Sequence, residues 1–172
     1  TNPSKKSREG AIVARQAREP RLIMEKSLPI DSIKSFDNYH DSLTNHYAPA
    51  VFLDSLKREI SFAGREGNQV AVIKFQLPTN ATLDQMLYFS NELELNVRHH
   101  DLIARLAERE FAVLLRFDCD ITSACESLIA RLKNVEKREF FYSLSLSDGT
   151  KDVLRMLEEL DNPQVLIAAH SL

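Results

Sequence analysis

Apolar residues along this chain change their spacing several times, and each change predicts a new element. From Asp31, which follows Pro29-Ile30 and has the chemistry of an N-cap, Ile33, Phe36, Tyr39 and Leu43 recur at helical spacing. Pro49 restarts the chain, and Val51, Phe52, Leu53, Leu56, Ile60 and Phe62 predict a second helix that ends near Gly64 and Gly67. The run VAVIKFQL (70–77) is rich in β-branched residues and predicts a buried strand, stopped by Pro78. Thr82 and Asp84 open a helix over 83–98, anchored by Leu83, Met86, Leu87, Leu93 and Val97. LIARL (102–106) and FAVLL (111–115) predict two strands around a turn at Ala107–Glu110. Asp120 or Thr122 caps a helix over 121–133, with Ile121, Ala124, Leu128 and Leu132 facing inward. FFYSLSLS (140–147) alternates as a strand, Asp148-Gly149 turns the chain, VLRMLEEL (153–160) is a last helix and VLIAA (165–169) a short final strand. This order predicts an α/β (α+β) fold with a central, mostly antiparallel sheet and helices on its faces.

The length of 172 residues favours one domain with an extension. Residues 1–30 form that extension and 31–172 the domain. The extension is basic, with Lys5, Lys6, Arg8, Arg15, Arg18 and Arg21 against Glu9 and Glu19. It is expected to act as a solvated linker, or to lie near an anionic membrane surface. The start at Thr1 predicts a piece of a longer protein, whose adjoining segment would supply any membrane proximity. A net charge of −3 argues against a nucleic-acid partner. No apolar run approaches the ~20 residues of a membrane span, and no signal-peptide pattern appears. Cys119 and Cys125 are too few for a disulfide framework or a Cys-rich zinc site, so two reduced thiols in a cytoplasmic domain are expected. No Gly-rich phosphate loop, nucleophile elbow or triad spacing is present.

Several pieces, in order, resemble the GGDEF family of diguanylate cyclase domains. Asp41-Ser42-Leu43-Thr44 looks like the family's opening D-x-L-T, followed by apolar Phe52 and Leu56. VAVIKFQL is similar to the first core strand, and FYSLSLSDG to the later V-S-x-G-V-A strand. RLAEREFAVLL resembles the signature hairpin, keeping Arg105, Leu106, Glu110 and Phe111. The resemblance covers about residues 41–160.

The departures imply a degenerate domain that is not an enzyme. Where the family has Gly-Gly-Asp/Glu-Glu-Phe, this chain reads Ala107-Glu108-Arg109-Glu110-Phe111. Glycines would let backbone approach a nucleotide closely, and Ala107 and Glu108 do not. Arg109 puts a cation where the family binds a divalent metal. The second metal acid belongs at the end of the first strand, where Gln76-Leu77-Pro78 stands. Without these acids, metal-assisted attack of one GTP on another loses its stabilising charge. The family's F-K-x-I-N-D-x-x-G-H helix is replaced by a shorter stretch beginning PTNATLDQ, and the usual N-R pair after D-x-L-T by Ala48-Pro49. Catalytic residues and cofactors are therefore expected to be none.

One family feature persists. Product inhibition uses an R-x-x-D step ending five residues before the signature. Here Arg98-His99-His100-Asp101 is followed by Leu102 through Leu106 and then Ala107, in the family's register. The resemblance implies a regulatory ligand, cyclic di-GMP, as in receptor-type members. An Arg fork meets the N7 and O6 acceptors of guanine, and a carboxylate accepts from its N1–H and N2–H. Arg98 and Asp101 are the expected readers. Arg131 matches, within a two-residue shift, a further family arginine expected to reach the ligand's phosphates. His99 and His100 would line that site or meet solvent, and His40 and His46 are expected on a helix surface or in packing. A second protomer or protein partner is expected. The alternative is a ligand-independent dimerisation or docking scaffold in which R-x-x-D is a relic; a third reading is GTP binding without turnover.

Overall fold

The computed structural model describes residues 38–162 and the backbone of 167–169. The basic segment, the start of the first predicted helix (Asp31, Ile33, Phe36) and residues 165 and 166 of the last predicted strand lie outside them. The described elements are α1 (Pro49–Glu66), β1 (Val70–Gln76), α2 (Leu83–Asn96), β2 (Leu102–Ala107), β3 (Glu110–Leu115), α3 (Ile121–Val135), β4 (Phe140–Ser147), α4 (Val153–Asp161) and β5 (Ile167–Ala169).

Local chemistry sets the boundaries. Pro49 opens α1, where its missing N–H costs nothing, and Gly67 closes it at φ 69° with its N–H on the Ala63 carbonyl. Thr82 and Gln85 form a reciprocal capping box on α2. Asp120 caps α3 by accepting from the Ser123 N–H, and Asp152 caps α4 by accepting from the Arg155 N–H.

The five strands form one antiparallel sheet in the order β2-β3-β1-β4-β5. Central β1 is buried on both faces along most of its length, which explains its unbroken apolar run. One face packs beneath α2 and α3 on an aromatic cluster, with Phe89 5.8 Å from Phe75, 5.7 Å from Phe111 and 5.3 Å from Phe140 between ring centroids. The other face packs beneath α1 and α4, where Phe52, Leu56, Val72, Leu114 and Met156 are fully buried. Burying such side chains stabilises by roughly 1.5–3 kcal/mol each.

One expectation needs correction. The helical spacing of Tyr39 and Leu43 does not continue as a helix: residues 42–44 are a turn, and His40 bridges Tyr47. Asp41 Oδ2 accepts from the Leu43 N–H at 3.2 Å, the Thr44 N–H at 2.8 Å and the Thr44 hydroxyl at 2.9 Å. This side chain satisfies the backbone donors locally, so the segment turns instead of coiling. His46 is accordingly buried packing rather than helix surface. Its Nε2 lies 2.7 Å from Ser90 Oγ, and burial pushes its pKa below the usual 6.5.

Candidate functional site

Helix α2 stops at Asn96 because Val97 is extended, and the Arg98-x-x-Asp101 step is a turn closed by the Asp101 N–H on the Arg98 carbonyl at 3.0 Å. The step therefore lies beyond the helix, whereas the apolar pattern predicts helix through 98. This turn feeds straight into β2. In the hairpin, Leu102 pairs with Leu114 and Ile103 with Val113, so the same register carried outward sets Arg116 across from His100. Arg116 fixes the turn. Its backbone N–H donates to Asp101 Oδ1 at 3.2 Å, its Nε to the His100 carbonyl at 2.7 Å, and its Nη1 to Glu59 of α1 at 2.7 Å. Reading residues along the chain misses Arg116; carrying the hairpin register past β2 finds it.

The Asp101 carboxylate is 3% exposed. Burial pushes its pKa above the usual 3.8, against the opposing pull of the Arg116 N–H and the neighbouring His100, Arg98 and Arg116 charges. A raised carboxyl pKa means that the folded state binds the proton more readily than the unfolded chain. Asp101 therefore costs stability as pH rises from 3.8 through its folded pKa. Asp101→Asn, which keeps the acceptor for Arg116, is expected to be at least as stable as the wild type at neutral pH. That advantage shrinks as pH falls below the folded pKa, as urea melts across pH would show. A variant less stable at neutral pH, with the deficit vanishing in acid, would contradict this ionisation argument.

Arg98 is 42% exposed and forms an ion pair with Asp118, which holds the Asp118 carboxyl below its ordinary range. Arg98 and Asp101 line one surface cavity of about 460 Å³, together with His40, Tyr47, Glu94 and His99. Arg131 is not among its walls. From α3 its Nη2 donates to the Asn96 carbonyl at 2.9 Å, capping the C-terminal end of α2. The structure thus brings Arg98 and Asp101 together and puts Arg131 close to the same turn in a different role. His99 lines the cavity; the His100 ring lies 6.3 Å from Phe117.

The opposite end of the hairpin gathers the signature positions. Glu108 and Arg109 form its tip, with Ala107 facing Glu110 across the ladder and a register irregularity between Arg105 and Ala107. Glu110 pairs in register with Gln76, and the Leu77 N–H donates to the Arg109 carbonyl at 2.9 Å, so the end of β1 meets the tip. Arg109 bonds Glu108 at 2.7 Å and donates from Nε to the Ala81 carbonyl at 3.2 Å. Lys74 lies 3.4 Å from Glu110 and 2.6 Å from Asp161. Burial works against the Lys74 charge, but Asp161 and Glu110 outweigh it and raise its pKa. Each tip carboxylate thus has a protein cation beside it. Among the described residues, no three His, Cys, Asp or Glu side chains are gathered as a metal would require. Behind the tip, Arg105 is buried, bonds Asp41 at 2.9 Å and the Glu108 carbonyl at 3.0 Å, and ties the D-x-L-T turn to the hairpin.

No protein-family profile and no curated protein matches the chain. Solved structures do. The GGDEF domain of YfiN (TpbB) from Pseudomonas aeruginosa is 24% identical over 71% of this chain and 84% of that one, with a TM-score of 0.60. The GGDEF domain of DgcB from Caulobacter crescentus, in complex with c-di-GMP, is 17% identical over 75% and 86%, with a TM-score of 0.62. The diguanylate cyclase SiaD from Pseudomonas aeruginosa, in complex with its activator SiaC, is 16% identical over 71% of this chain and 55% of that chain, with a TM-score of 0.56. The fold is that of the GGDEF domain.

Proposed function

We propose that this domain is a non-catalytic receptor for cyclic di-GMP, which binds at the Arg98-x-x-Asp101 turn and alters how the domain packs on a protein partner or second protomer. The carrying observation is that Arg98 and Asp101 line one cavity at the base of a hairpin whose tip carries Arg109. A structure of the same fold, DgcB, holds c-di-GMP. In this reading Arg98 reads the N7/O6 edge of a guanine, Asp101, whose carboxylate is 3% exposed in the free state, turns outward to accept from its N1–H and N2–H, and Arg131 leaves the Asn96 carbonyl to meet a phosphate. At the tip, Arg109 and Lys74 supply positive charge where metal-assisted phosphoryl transfer needs carboxylate oxygens for a divalent ion. The domain then works in the cytoplasm as a signalling module without a cofactor of its own.

The free state has Arg98 engaged with Asp118, so ligand must displace that carboxylate. Asp118→Asn weakens the competitor and is expected to tighten cyclic di-GMP binding about two- to five-fold by calorimetry, the scale of an exposed ion pair. The same protein incubated with GTP and Mg²⁺ is expected to yield no cyclic di-GMP. Product formation, or Asp118→Asn binding more weakly than wild type, would contradict the reading.

A second reading is a docking scaffold. It is favoured by the fact that Arg98 and Asp101 already have protein partners, Asp118 and the Arg116 N–H. SiaD, of the same fold, was solved with a protein activator. Under it, Arg98→Ala leaves partner binding intact and no titration with cyclic di-GMP produces heat.

A further inference from the structure

We infer that Phe117 is a stacking platform for a purine base of the ligand, and that the cationic groove between it and α1 seats the adjoining phosphate. The inference rests on the receptor reading above and extends it to a surface outside the Arg98-x-x-Asp101 cavity. Phe117 is 61% exposed and holds φ at 55°. A bulky side chain in the left-handed region is strained, and an exposed ring forgoes the gain of burial. Glycine or asparagine suits that backbone better. Local conformation does not account for an aromatic residue here, and its contacts with Phe62, Arg116 and His100 still leave most of the ring exposed.

Its surroundings suit a nucleotide. The Arg116 guanidinium lies 5.2 Å from the ring centroid, Phe62 stands at 6.1 Å and 75°, and His100 of the ligand turn is 6.3 Å away. Asp118, the partner of Arg98, is the next residue. A groove of about 450 Å³ separates the ring from α1 and is walled by Lys57, Arg58, Phe62 and Arg65. Glu59, the acid in that wall, is neutralised by Arg116 at 2.7 Å. An aromatic face beside several cations is the combination that holds bases by stacking and phosphates by charge. The link to the arginine that would read the first guanine runs through Asp118, which follows Phe117 in the chain and pairs with Arg98.

The test compares wild type, Phe117→Gly, Phe117→Trp and Arg98→Ala by calorimetric titration with cyclic di-GMP, with thermal melts of each. Phe117→Gly removes the ring and relieves the backbone, so its melting temperature is expected to hold or rise while affinity falls about ten-fold, as for loss of one stacked base. Phe117→Trp keeps a stacking face and is expected to bind within about two-fold of wild type, since every base has a face to stack on. Wild-type affinity in Phe117→Gly, with binding lost in Arg98→Ala, overturns the platform and leaves the receptor standing. Absence of binding to the wild type overturns both. Equal losses in Phe117→Gly and Phe117→Trp also overturn it, because the effect would then not follow the aromatic face.

Discussion

Arg98→Ala is expected to weaken cyclic di-GMP binding about 10- to 100-fold while leaving the fold intact. A bidentate arginine–guanine contact carries about 1–3 kcal/mol of recognition, and truncation removes both hydrogen bonds together. It also releases the Asp118 carboxylate, which then faces an anionic ligand without its cation. Lysine at 98 restores the charge but not the planar fork, so Arg98→Lys is expected to recover only part of the loss. Because the Arg98 side chain is 42% exposed and Asp118 keeps a donor in the Asp120 N–H, the melting curve is expected to move little. Isothermal titration beside a urea melt checks both halves. A large stability loss with unchanged affinity would make Arg98 a structural residue.

Gly149→Ala is expected to produce the largest loss of stability. A Cβ built there lies 2.2 Å from the Cα and 2.6 Å from the backbone nitrogen of Gly64, and the residue holds φ at 96°. Helix α1 thus crosses the turn between β4 and α4 backbone against backbone, and no flexible side chain is available to yield. Overpacking typically costs about 1–3 kcal/mol and left-handed backbone about 1–2 kcal/mol for a residue with a Cβ, so together about 3 kcal/mol is expected. Gly67→Ala is the control. It shares positive φ, at 69°, but has nothing within 4 Å of the added carbon, so it is expected to show only the backbone cost. Urea unfolding of both variants separates the clash from the strain, and equal losses would contradict the close crossing.

The sequence makes the sheet and its helices legible because their signals are local. The β-branched run of β1, the Thr82 capping box and Gly67 after α1 each announce an element or a boundary within a few residues. The turn around Asp41 is misread because apolar spacing at Tyr39 and Leu43 fits a helix, whereas one carboxylate already satisfies the donors a helix would use. Arg98 and Asp101 stand out only through the resemblance, which sets their distance from the hairpin along the chain. What holds them does not. Arg116 and Asp118 reach the turn from beyond β3 only because the strands pair, and Arg131 turns to the end of α2 rather than into the cavity. Phe117 is likewise an ordinary apolar residue in the sequence; its exposure and positive φ exist only in the folded chain.

The measurement that bears most directly on the central claim is calorimetric titration of the folded wild-type domain with cyclic di-GMP. The receptor account predicts saturable heat with micromolar or tighter affinity. A flat titration, from protein whose melting curve shows it to be folded, would contradict that account. It would leave Arg98 and Asp101 as partners of Asp118 and Arg116 in a domain that acts by docking.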